Sequence, residues 1–236
     1  MNCSRQIAIW LMVVIALASM YFLHTEPYFP YWAKFSKNNE PIQVLDTNSS
    51  LGRYSTYTKQ IRLEDLTKIH GHLCDGLVIS FVELKEVFKK LFPNGIVDRT
   101  DLRVVSKNGP CWVDASSMLT GARINFGTLS IDKSVGNGFI VQKISTGETY
   151  QVKLKENVFP EDLAKLETKI KSEVKAGKKV SDEDINKLET LANKLSEKVL
   201  NTNPDELMEI KKLDNYKFKQ NIQVGLRTDV LNKKMF

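Results

Sequence analysis

Ile69-His70-Gly71-His72-Leu73-Cys74-Asp75-Gly76 runs directly into an apolar-periodic stretch, and that junction decides how the rest of the chain reads. The protein has three histidines and three cysteines, and this window holds two of the former and one of the latter. Imidazole and thiolate are the side chains that best hold borderline metals, and here they alternate as His-x-His-x-Cys. Beyond the window, Leu77, Phe81, Leu84, Phe88 and Leu91 recur three or four apart, with Glu83, Lys85, Glu86 and Lys89 between them. That spacing predicts an amphipathic helix over 76–92. Cys74 then stands at a helix N-terminus, where free N–H groups and the helix dipole favour a thiolate.

Working outward, Leu63, Leu66 and Ile69 predict a short helix leading into the window, and Pro93-Asn94-Gly95 a turn after the long one. Residues 102–105 read as a strand that ends at Asn108-Gly109-Pro110. Cys111-Trp112-Val113-Asp114-Ala115-Ser116-Ser117-Met118-Leu119-Thr120-Gly121 follows, a short helix stopped at its glycine, with a second cysteine at a helix mouth. Residues 139–144 and 150–154 form a predicted hairpin around Ser145-Thr146-Gly147-Glu148. Past Pro160 the pattern turns helical. Ser181-Asp182-Glu183-Asp184 predicts a helix cap, Asn203-Pro204 a short third helix, and 216–224 a strand returning to the sheet. The fold class is α+β.

At the N-terminus, residues 7–23 form an apolar run with no charged residue, near the lower length limit for a membrane-spanning helix. Arg5 flanks it on one side, and Tyr21, Phe22, Tyr28, Phe29, Tyr31 and Trp32 crowd the other like an interfacial belt. Ala16-Leu17-Ala18 also resembles a cleavage site, so a removed signal peptide stands beside the favoured uncleaved transmembrane anchor. Either version makes the membrane a partner and puts the domain on the outer side, anchored or secreted. The division is then 1–25 anchor or signal, 26–57 a Pro/Asn/Ser-rich linker that wraps onto the domain, and 58–236 the domain with a helical C-terminal part.

The net charge of +6 comes from Lys spread through mixed Lys/Glu helices with no aromatic-interleaved basic patch, which argues against a nucleic-acid surface. Three cysteines without a C-x-x-C argue against a zinc ribbon or a dithiol motif. The trio His70, His72 and Cys74 points to a metal or catalytic role. Cys111 is either a buried small hydrophobe or a further ligand, placed like Cys74 between strand and helix. Asp114 reads as a helix cap or as an acceptor for a histidine N–H, and Arg123 as a surface residue.

His70-Gly71-His72-Leu73-Cys74-Asp75-Gly76, with Cys111-x-x-Asp114-Ala115 and Thr120-Gly121, resembles the formylmethanofuran dehydrogenase E-type subunit family. That pattern is His-Gly-His-x-Cys-Pro-Gly, then Cys-x-x-Asp-Ala and Thr-Gly-Cys-Thr. The resemblance implies a thioredoxin-like core with a mixed β-sheet flanked by helices, often homodimeric, and a site that holds zinc or another transition metal. It makes His70, His72, Cys74 and Cys111 the metal candidates, and Cys74, His72 and Asp114 the catalytic candidates, with Thr120 beside them. Three positions depart from the pattern: Asp75 replaces proline, Ala122 replaces the next cysteine, and Thr128 stands where asparagine is usual. No cysteine follows Cys111, so the C-terminal zinc finger of many relatives is missing.

Three functional classes follow. The chain is an exported or membrane-anchored metal protein, acting as an enzyme or accessory factor in one-carbon or molybdoenzyme-linked metabolism. Alternatively it is a non-catalytic metal carrier or interaction module. The third reading is a thiol-redox protein using Cys74 and Cys111, which metal occupancy would exclude.

Overall fold

The chain's computed structural model describes residues 7, 9–14, 29–49, 51–223 and 231–232. In chain order the elements are α1 (Tyr31–Lys34), β1 (Ile42–Leu45), β2 (Lys59–Ile61), α2 (Leu63–His70), α3 (Asp75–Leu91), β3 (Ile96–Asp98) and β4 (Leu102–Ser106). They continue as α4 (Pro110–Thr120), β5 (Leu129–Ile131), β6 (Gly138–Lys143), β7 (Thr149–Leu154), α5 (Glu161–Lys175), α6 (Asp182–Asn201), α7 (Pro204–Leu207) and β8 (Met208–Lys212). The class is α+β.

Five strands make a mixed sheet in the order β5-β4-β6-β7-β8. Only β4 and β5 run parallel in it; the predicted β6–β7 hairpin and β8 are antiparallel. A second sheet, β2-β1-β3, pairs β1 antiparallel with β2 and parallel with β3.

Helix α3 is the centre of the molecule. It packs on β6 and β7 and against α4 and α6. Leu77, Phe81 and Leu84 are fully buried, as the periodicity implies, but so are Val78 and Val82 on the flanks. The charged positions depart from an amphipathic surface helix: Glu83 is 0% exposed, Lys85 9% and Glu86 8%. The stretch read as linker accounts for part of this cover. Glu40 meets Lys85 at 3.1 Å, and the Asn38 carbonyl accepts from the same ammonium. Asn38 also donates its side-chain amide to the Val199 and Thr202 carbonyls at the end of α6, satisfying groups that a helix C-terminus leaves open.

One expectation needs correction. Among the described residues, 216–223 form no strand; instead Asn221 reaches the edge strand β5, its carbonyl accepting from the Ile131 N–H at 2.7 Å and its own N–H donating to Ser130 Oγ. The strand that returns to the sheet is β8, eight residues earlier than the predicted start (216 against 208). Among the described residues no helix is long and apolar enough to cross a membrane; most of the apolar run at 7–23 lies outside the described residues.

Candidate metal centre

The site is assembled where three helix ends converge. Helix α2 stops at Gly71, whose φ of +100° is a left-handed conformation that L side chains seldom adopt. That reversal leaves His70 as the last helical residue and lets Cys74 enter as the N-cap of α3 four residues later. Helix α4 starts after β4 with Pro110 in its first turn, where the missing N–H is no loss, and so presents Cys111 from the other side.

Gly76 permits the approach. A Cβ built there would lie 2.8 Å from Cys111 Sγ and 3.2 Å from the Trp112 ring. The closeness of α3 and α4 at this level therefore depends on a residue without a side chain.

The resulting geometry is tight. Cys74 Sγ lies 3.4 Å from Cys111 Sγ and 3.6 Å from His70 Nε2, and Cys111 Sγ lies 3.7 Å from that same nitrogen. His70 Nδ1 is held at 2.7 Å by Asp114 Oδ2, a contact between the end of α2 and the second turn of α4. Asp114 thus receives the histidine N–H and directs Nε2 at the two sulfurs, as carboxylates commonly do behind metal-binding histidines. The His70 and His72 rings are 4.8 Å apart, and the ligand atoms of His70, His72 and Cys74 all lie within 4.8 Å of one another. His72 is exposed, while His70, Cys74 and Cys111 are half-buried.

The electrostatics differ from the sequence expectation. The Asp114 carboxylate, together with Cys74, pushes the His70 imidazole up to about 9 against the cost of burial. Cys74 goes the opposite way from a helix-mouth thiolate: the shared proton with Cys111 and burial push its thiol up to about 12, although both histidines pull it down. A metal-free site therefore holds the Cys74 thiol beside an imidazolium. Asp75 is pushed up to about 6, first by burial and then by Glu167.

Thr120 lies fully buried, donating to the Ser116 carbonyl and accepting from the Ala122 N–H, so it shapes the end of α4. Ala122 is packed in the core. Thr128 accepts from the Arg123 N–H, and Arg123 stacks over Phe126 on the surface. Sequence reading quoted Gly76 in the motif without the close approach to Cys111 that it permits, and gave no role to Trp112 or Lys107. Lys107 sits 3.5 Å over the Trp112 ring and donates to Asn137 Oδ1. A glycine in the first turn of an apolar helix was the available signal for that approach.

A tetrahedral zinc-type centre, with bonds of about 2.3 Å to sulfur and about 2.0 Å to nitrogen, has ligand–ligand edges of about 3.5–3.8 Å. The triangle of His70 Nε2, Cys74 Sγ and Cys111 Sγ matches the two nitrogen–sulfur edges of one face, and the sulfurs need to part by a few tenths of an ångström to complete it. The donor set is the soft, mixed S/N kind that suits borderline divalent metals.

No curated protein matches the chain. The family model FmdE, described as "Molybdenum formylmethanofuran dehydrogenase operon", matches residues 69–209, more than half of the sequence and all of the residues that form the site. The chain belongs to the FmdE family.

Proposed function

We propose that this protein binds one transition-metal ion, zinc by preference, through His70, Cys74 and Cys111, with His72 or water in the fourth position. The observation that carries this is the near-equilateral triangle of ligand atoms with edges of 3.4, 3.6 and 3.7 Å. When bound, such an ion supplies Lewis acidity or an activated water. The chain's own part is to orient His70 through Asp114, to keep two sulfurs at coordinating separation, and to leave the His72 side open to solvent. That opening suits either substrate entry in an enzyme or metal hand-over in a carrier. The family's thioredoxin-like core, a homodimer, and an outer-side location on the membrane through the 7–23 run belong to the same proposal, supported by the resemblance and the apolar sequence.

The 3.4 Å separation of the sulfurs also favours a second reading, thiol-redox chemistry, because only a small side-chain movement separates them from bonding distance of about 2.05 Å. Metal analysis decides between the two. The anaerobically purified chain should carry about one equivalent of metal, as a three- or four-ligand site demands, and Cys74→Ser and Cys111→Ser should each lose it. A parent that is metal-free and cannot be loaded would sink the metal reading. A reversible Cys74–Cys111 disulfide would then carry the second.

A further inference from the structure

Seven buried side-chain polar atoms of the described residues have no hydrogen-bond partner, and five of them belong to Ser80, Glu83, Trp112 and Ser116. These four residues are not scattered. Gly76 abuts Cys111 and Trp112, which fixes the stripe of α3 that faces α4. Ser80 is one turn and Glu83 two turns further along that stripe, and Ser116 is one turn beyond Trp112 on α4. Ser80, Glu83 and Ser116 are all 0% exposed. Elsewhere in the protein a buried helical hydroxyl is satisfied by the carbonyl four residues back, as in Ser196 and Thr120. Ser80 and Ser116 make no such bond.

A dry seam of this composition would be costly. An unpaired buried polar group is destabilising, and native interiors satisfy such groups with internal water that makes about three hydrogen bonds. We propose that the α3–α4 seam binds a file of internal water, open to the Cys74/Cys111 pair at one end and closed by the Glu83 carboxyl at the other. The ligands this site takes are water and other small neutral hydrogen-bonding molecules. Glu83 is the proton-holding group at the inner end. Burial drives its carboxyl well above the usual range, opposed by the Leu154 backbone N–H beside it and by the charge of the Lys107 ammonium. The carboxyl accordingly keeps its proton and can donate it into the file. This site goes beyond the metal reading and does not depend on it.

Infrared spectroscopy of the metal-free chain at neutral pH tests it. A protonated-carboxyl band, assigned by its loss in Glu83→Gln, should shift in D2O long before the α3 amides exchange. Plugging the seam with Ser116→Val should slow that shift by about tenfold or more, since exchange then waits for local opening. Alkylating Cys74 and Cys111 should slow it likewise. Ser80→Val supplies the same arm should Ser116→Val fail to fold. A missing band, a band that exchanges only with the α3 amides, or a rate unchanged by the plug and by alkylation would each overturn the water file.

Discussion

The Asp114–His70 contact sets the pH behaviour of the site. The folded imidazole titrates at about 9 against a reference of 6.5. Its stabilising contribution is therefore complete below pH 6.5 and is lost as pH rises through about 9. Asp114→Asn should bring the imidazole back toward its ordinary value. The metal-free variant should lose roughly 2 kcal/mol of stability at pH 6, and little at pH above 9, in denaturant unfolding. Metal uptake runs the other way. A ligand imidazole must give up its proton, so apparent affinity should climb across the same interval, and less steeply in Asp114→Asn; metal titration by calorimetry at several pH values reads this directly.

At the level of the element, Gly76 carries the most specific expectation. Alanine normally helps a helix by up to about 1 kcal/mol over glycine. Here its methyl would stand 2.8 Å from Cys111 Sγ, so Gly76→Ala should instead destabilise by about 1–3 kcal/mol and weaken metal binding. Equal or greater stability on thermal unfolding would refute that account. Ser181 offers a milder check: its hydroxyl accepts from the Asp184 N–H at the start of α6, and Ser181→Ala should cost about 1 kcal/mol without touching the metal. The sequence showed α3, α4, α6 and the β6–β7 hairpin well, because periodicity, Pro, Gly and capping residues are local signals. It did not show β1 or β8. Ile42–Leu45 is short and sits among Pro and Asn, and its pairing with β3 joins positions about fifty residues apart that no local pattern connects.

For the molecule as a whole, the decisive fact is that the central helix is buried from Gly76 to Phe88, charged positions included. The unfolded Glu83 carboxyl ionises above about 4.5, whereas the folded one resists. An acid raised on folding withdraws stability as pH climbs past its unfolded value. Glu83→Gln should thus raise the unfolding midpoint at neutral pH and flatten the decline that the parent shows above pH 5, by roughly 1 kcal/mol or more. An unchanged profile would mean the carboxyl is paired. Periodicity alone could not reveal this burial, since Lys85 is enclosed partly by Asn38 and Glu40, which belong to a stretch whose composition reads as linker, and Glu83 lies near Leu154 and Lys107, far away in sequence. The candidate site was more legible than its surroundings. His70, Cys74 and Cys111 do converge, and of the two roles read for Asp114 the structure gives it the histidine.

The segment ending at Gln223 runs along the outer strand of the five-stranded sheet, where Asn221 bonds to Ser130 and Ile131, and the Gln223 carbonyl receives the Asn108 amide beside the loop that leads to Cys111. Those residues act as a guard rail. Strip them away, and β5 would present free N–H and C=O groups to any other chain with a matching border. A protein shortened to residue 219 should therefore become sticky in proportion to its concentration, so that shelf life and solubility, well before chemistry, would report the loss.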